Sequence, residues 1–144
     1  MRYILIVKGS RYSEASLKTS REHRDAMAAY NELLARAGVL LAAEGLQPSS
    51  SGMRITYPVH GGMPKVTVGP FTLEKELVAG FKMIEVKSEE EAIDWAMRMP
   101  NPSGFGDGEI ELRLLSEDVN LLHVSPTMAL EADLRDQIDM LKKS

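Results

Sequence analysis

Val66-Thr67-Val68-Gly69-Pro70-Phe71-Thr72-Leu73-Glu74-Lys75-Glu76-Leu77-Val78-Ala79-Gly80-Phe81 is the stretch that decides how this chain is read. A β-branched run, strand-like by composition, stops at Gly69-Pro70-Phe71, because proline fixes φ and carries no N–H for a ladder. The charged turn Glu74-Lys75-Glu76 follows, and Gly80 opens a second strand, Phe81 to Lys87. On the N-terminal side, Met53 to Val59 and Lys65 to Val68 flank His60-Gly61-Gly62-Met63-Pro64, which predicts a hairpin. On the C-terminal side, Ser88 and Glu91 form a capping box, and Ala92, Ile93, Trp95, Ala96 and Met99 recur at helical spacing until Pro100.

The rest of the chain extends this pattern. Tyr3 to Val7 reads as a buried strand, and Gly9 to Lys18 as a polar loop. Thr19 with Glu22 predicts a helix start, and His23, Ala26, Met27, Tyr30, Leu33, Leu34 and Ala37 give its stripe. Gly38 ends that helix, Val39 to Leu46 is a second apolar strand, and Glu109 to Leu115 alternates as a half-exposed strand does. Strand–helix–strand, hairpin, strand–helix–strand predicts an α+β fold: a ferredoxin-like antiparallel sheet with both helices on one face. Residues 1–115 make this domain, and 116–144 a helical extension that starts at Ser125 and Pro126 and carries Leu130, Leu134, Ile138 and Leu141 on one side.

Bulk properties narrow the function. The chain has 144 residues, of which 44% are hydrophobic, enough for one core. A formal charge of −4 with no basic run argues against a nucleic-acid partner. There is no cysteine, which excludes disulfides and thiolate chemistry and fits a cytoplasmic location. No apolar run reaches the length of a membrane span, so no membrane partner is expected.

Strand parity predicts a partner of another kind. Ile84 and Val86 fall on one face of their strand; Phe81, Met83 and Glu85 fall on the other. Helices on one side leave the second apolar face uncovered. We expect a homodimer with sheets face to face, a dimeric α+β barrel; the alternative is that the tail helix folds back over the open face.

Glu44-Gly45-Leu46-Gln47-Pro48, Gly69-Pro70-Phe71, Glu74-Lys75-Glu76, Gly80-Phe81, Ile84, Val86, Glu90-Glu91-Ala92 and Trp95 together resemble the DGPF branch of the YCII-related family. The resemblance runs from Met1 to about Leu115. It implies a dimeric barrel of ferredoxin-like subunits and a cleft with a His on the first helix and an Asp before Gly-Pro. One relative class dehalogenates chlorinated hydroxyquinols, and others are linked to sigma factors. His23 stands on the first helix, but Val68 occupies the position of the family's Asp. A valine neither orients an imidazole nor accepts a proton.

The residues themselves nominate a site. Glu44 interrupts Val39-Leu40-Leu41-Ala42-Ala43, and a carboxylate among apolar residues suits general acid–base work. Glu85, on the uncovered face, is a second such acid; a cross-strand ion pair with Arg113 or Lys82 is its plainer role. His23 is the expected proton carrier. Glu74, Lys75, Glu76, Arg113 and Phe71 are expected to bind the ligand, with Lys75 or Arg113 taking an anionic group. Tyr3, Tyr30 and Tyr57 are aromatic enough to orient a ring but read more simply as core. The three histidines lack ligand spacing, and no dinucleotide or phosphate-loop fingerprint occurs, so neither metal nor cofactor is expected. The reading is a small-molecule-binding homodimer with cofactor-free proton-transfer chemistry, of isomerase or lyase type. The alternative is a non-catalytic regulatory or interaction module.

Overall fold

The computed structural model describes residues 1–72 and 77–116. Its elements are β1 (Arg2–Lys8), α1 (Arg11–Glu14), α2 (Arg21–Arg36), β2 (Leu40–Gly45), a 3-10 turn (Ser49–Ser51), β3 (Met53–Thr56), β4 (Lys65–Val68), β5 (Val78–Glu85), α3 (Glu89–Arg98) and β6 (Ile110–Leu114). Four strands form an antiparallel sheet in the order β2-β5-β1-β6, and β3 and β4 form a separate hairpin. Pairs of strands flanking a helix are thus separated by one antiparallel strand, the split arrangement of a ferredoxin-like fold. The expected tail helix lies outside the described residues.

Local chemistry explains the helix boundaries. Ser20 caps α2 by accepting the His23 N–H at 3.0 Å, one residue later than the Thr19 start expected from sequence. Ser88 accepts the Glu91 N–H at 3.1 Å, and the Glu91 carboxylate accepts from the Lys87 N–H at 2.9 Å. The segment read as a polar loop holds α1. Ser10 accepts from Tyr12 and Ser13, and Ser13 Oγ accepts the Ser10 N–H, so two serines form a complete capping box.

Both longer helices pack on one sheet face. Tyr3, Leu5, Ile84 and Val86 meet Tyr30 and Leu34 of α2 and Ala92 and Trp95 of α3 in a single buried cluster. Tyr30 binds the two helices together: its hydroxyl donates to the Trp95 carbonyl at 2.6 Å. The opposite face carries Ile4, Ile6, Ala42, Phe81 and Met83, all half-buried, with Ile4 opposite Met83 and Ile6 opposite Phe81. Nothing in the described chain packs a helix there.

The Gly69-Pro70-Phe71 turn is clipped to the rest of the fold. The Gly69 N–H donates to Gly52 O at 3.0 Å, and the Phe71 N–H to Ser49 Oγ at 2.9 Å. Ser49 in turn donates through its N–H and hydroxyl to the Glu14 carboxylate of α1. The Gly69–Pro70 bond is cis. A Cβ on Gly69 would stand 1.8 Å from the Ser49 carbonyl oxygen, so only glycine fits that crossing. The hairpin beyond it is amphipathic in an unusual way. Met53 faces Val68 and Ile55 faces Val66, and all four side chains are exposed.

These contacts set the response to three substitutions. Gly69→Ala should lower unfolding free energy by about 1–3 kcal/mol through enforced backbone displacement. Gly45→Ala, with open space around the added methyl, should change it by about 0.5 kcal/mol at most, and urea unfolding midpoints check both. Burial pushes the Tyr30 phenol from 10.0 up to about 12, against a smaller opposing pull from Arg98. Because the folded-state value lies above the unfolded one, this contribution is intact below pH 10 and is lost as pH rises toward 12. Tyr30→Phe should remove that alkaline slope in a stability-versus-pH series, at a cost of about 1 kcal/mol at neutral pH.

Candidate functional site

A cavity of about 300 Å³ lies between α2 and the sheet, bordered by His23, Met27 and Asn31 of the helix and by Ala43, Glu44 and Lys82 of the strands, among others. Its existence follows from where α2 starts and ends. The core pairing of Tyr30 and Leu34 holds the C-terminal half of α2 tightly on the sheet. The N-terminal half, with Met27 half-buried and His23 one turn earlier, stands over small strand residues, Ala43, Gly45, Ala79 and Gly80. Small residues beneath a helix leave volume. Gly80 is small for a second reason, since a Cβ there would stand 2.8 Å from the Glu44 carbonyl oxygen.

His23 is fixed in one tautomer. Its Nε2 lies 2.8 Å from the Asn101 carbonyl oxygen, which can only accept. In the neutral ring the proton therefore sits on Nε2 and the lone pair on Nδ1. An imidazole so anchored presents one basic nitrogen without rotating, which is what a general base requires.

Lys82 is the group that sequence reasoning missed as a site residue. On β5 it lies between the facing residues Leu5 and Ala43, in phase with Ile84 and Val86, and so on the helix-covered side. It is 8% exposed, the single buried charged residue among those described. Desolvation pushes its ammonium below the usual lysine range. None of the ion pairs within 4.0 Å among the described residues includes it. Asn31, on the same cavity wall, has a buried Oδ1 without a hydrogen-bond partner among the described residues.

The other expected site residues are dispersed. Glu44 borders the cavity but its residue is exposed, opposite Phe81 on the uncovered face. Glu85 shares that face, four residues further along β5 than Phe81, so about 13 Å of strand separates the two acids. They do not form a carboxylate pair. Glu85 also stands on the face opposite Lys82, which removes the ion pair entertained between them; its facing residue on β1 is Arg2. Arg113 donates to Glu111 at 2.9 Å, and that bond, with Lys8 at 3.7 Å, holds the Glu111 carboxyl below its ordinary range. Phe71 belongs elsewhere, beside a second cavity of about 400 Å³ with Glu14 and Leu77, where the Arg54 guanidinium covers its ring at 4.2 Å. Glu74, Lys75 and Glu76 lie outside the described residues. Tyr30 is core rather than site.

A third cavity of about 220 Å³ adjoins the first, sharing Val7, Ala79 and Pro102, and is roofed by Tyr12 stacked on Phe105 at 5.2 Å. Asp107 and Glu109 border it, yet among the described residues no group of three or more His, Asp or Glu is placed to hold a metal ion. Among the described residues no helix is long and apolar enough to cross a membrane.

No curated protein matches the chain. The YCII-related domain matches residues 1–115, the whole of the sheet, both long helices and the His23 cavity. The chain is a member of the YCII-related domain family.

Proposed function

We propose that the protein is a homodimer that binds a small molecule in the cleft between α2 and the sheet, with His23 as the proton carrier. The observation that carries this reading is the cavity itself. It brings the His23 imidazole, the unpartnered Asn31 Oδ1 and Lys82, whose stem is buried, to one open and partly apolar cleft. Polar groups converging on a partly apolar concavity are what a ligand site needs. The chemistry is cofactor-free proton transfer of isomerase or lyase type: His23 Nδ1 takes a proton from a bound carbon or hydroxyl acid and returns it at a second position.

The dimer rests on the uncovered face. Ile4, Ile6, Ala42, Phe81 and Met83 form an apolar centre, with Glu44, Glu85, Lys8, Glu111 and Arg113 around it. An apolar core with a charged rim is the anatomy of a protein interface. The exposed Met53, Ile55, Val66 and Val68 of the hairpin add a second surface that a partner copy would cover. The absence of cysteine fits a cytoplasmic site of action. A regulatory module without catalysis is the second reading, favoured by Val68 at the position where the family resemblance implies an acid.

Light scattering at micromolar concentration should give twice the protomer mass, and Ile6→Asp with Phe81→Asp should give the protomer mass while keeping the far-ultraviolet dichroism. A wild-type protomer at that concentration rules the dimer out. In a metabolite screen read by thermal shift, Glu44→Gln should alter binding of a confirmed ligand and Glu85→Gln should leave it unchanged. His23→Asn should lower turnover of any confirmed substrate by about 10²–10⁴-fold with a much smaller change in affinity. Undiminished turnover in that variant removes His23 as the base.

A further inference from the structure

We propose that the apolar side of the β3–β4 hairpin is the docking site for the tail of a second copy of this chain, residues 125–141. The inference rests on the dimer reading and adds the segment that ties the two copies together.

A two-stranded hairpin is marginal in water unless a helix or a further strand covers it. β3 and β4 pair with each other and stand apart from the four-stranded sheet. Their side chains sort by parity. Met53, Ile55, Val66 and Val68 fall on one side, and Arg54, Thr56, Lys65 and Thr67 on the other. All eight residues are exposed. The polar side suits water, and the Arg54 guanidinium there also covers the Phe71 ring. The apolar side has no such relief. Of the seventeen large apolar residues exposed in the described chain, seven lie within residues 53–68. That density marks a contact surface rather than scattered exposure.

The chain itself carries the complement. Residues 117–144 hold six acids and three bases, a net charge of −3, whereas residues 53–68 hold Arg54 and Lys65 and no acid. The hairpin is one layer thick, so its cations act across it within a Debye length of about 8–10 Å. Leu130, Leu134, Ile138 and Leu141 recur at helical spacing after Ser125 and Pro126. As a helix that stripe is about 17 Å long, and four residues of strand extend about 13 Å. The uncovered face of the main sheet is a poorer match, because its rim sets Glu44, Glu85 and Glu111 against Lys8 and Arg113. Charge therefore directs the acidic segment to the hairpin.

Reach assigns the tail to the other copy. β6 ends beside the start of β1, with Leu114 opposite Tyr3. The hairpin instead departs after Gly45 and returns before Val78, beside the end of β1 at Lys8. About 17 Å along the strands and about 14 Å across three strand spacings separate these corners. Residues 117–124 span about 28 Å at full stretch. Within one copy, a path that straight crosses either the layer of α2 and α3 or the face on which the partner sits. Exchange of tails between the copies avoids it.

The chain has no cysteine, so an introduced pair reports only itself. In the full chain, Val66→Cys with Leu134→Cys should oxidise to a covalent dimer on a denaturing gel. It should do so at least about tenfold faster than Thr67→Cys with Leu134→Cys, because docked thiols meet at an effective concentration near millimolar. Thr67 lies on the polar side of the hairpin and serves as the control. Ile55→Cys with Ile138→Cys gives a second pair should the first fail to fold. A bond formed within one chain, with thiols lost at the protomer mass, overturns the exchange and returns the tail to its own hairpin. Equal rates for the apolar-side and polar-side pairs overturn the docking altogether. Light scattering of the wild type separates the two readings. Equal rates at the dimer mass remove the tail contact alone, and a protomer mass removes the dimer with it.

Discussion

Among the described residues, helices cover one face of β5 and not the other. Ile84 and Val86 on one side and Phe81 and Met83 on the other are all apolar, yet α2 and α3 both arrive on the first side. The reason is topological: each helix connects two strands that run in the same direction with one strand between them, and crossovers of one hand place both helices on one layer. The uncovered side keeps its half-buried isoleucines, methionine and phenylalanine. The charged border around that face and the separation of Glu44 from Glu85 both follow from this arrangement.

The same layer geometry creates the cleft. A helix crossing a twisted sheet touches it closely over part of its length, and here the close part is at Tyr30 and Leu34. Toward Ser20, the sheet beneath offers alanine and glycine, and the gap is lined by whatever α2 presents there: His23, Met27 and Asn31. Two constraints make that gap small-sided. Gly80 is required by the approach of the Glu44 carbonyl, and the imidazole is tethered to Asn101 just before the loop leading to β6. Gly80 is therefore held small by a backbone contact, independently of the cleft it borders.

Much of the fold was legible because hydrophobic period and cap chemistry are local. Parity along Phe81 to Val86 assigned both faces of β5 correctly, and Ser88 with Glu91 marked the start of α3. The short helix α1 was missed because its capping box is Ser10 with Ser13, not a serine with an acid, and because four residues carry no period. The site was less legible. Lys82 was in phase with Ile84 and Val86, so its burial was present in the same parity argument that placed Glu85, but a lysine is read as solvent-facing by habit of composition. The distance between Glu44 and Glu85 depends on register between β2 and β5, including the irregularity between Leu40 and Ala42, and register is a non-local quantity.

The position before Gly69 gains a different meaning in three dimensions. The family resemblance implies an acid there, working with a histidine on the first helix. In this chain Val68 faces Met53 on the hairpin, is 67% exposed, and does not border the cavity that His23 borders. Within one protomer, the histidine takes its orientation from the Asn101 carbonyl instead. A carbonyl fixes the tautomer as an acid would, but it carries no full charge to stabilise an imidazolium.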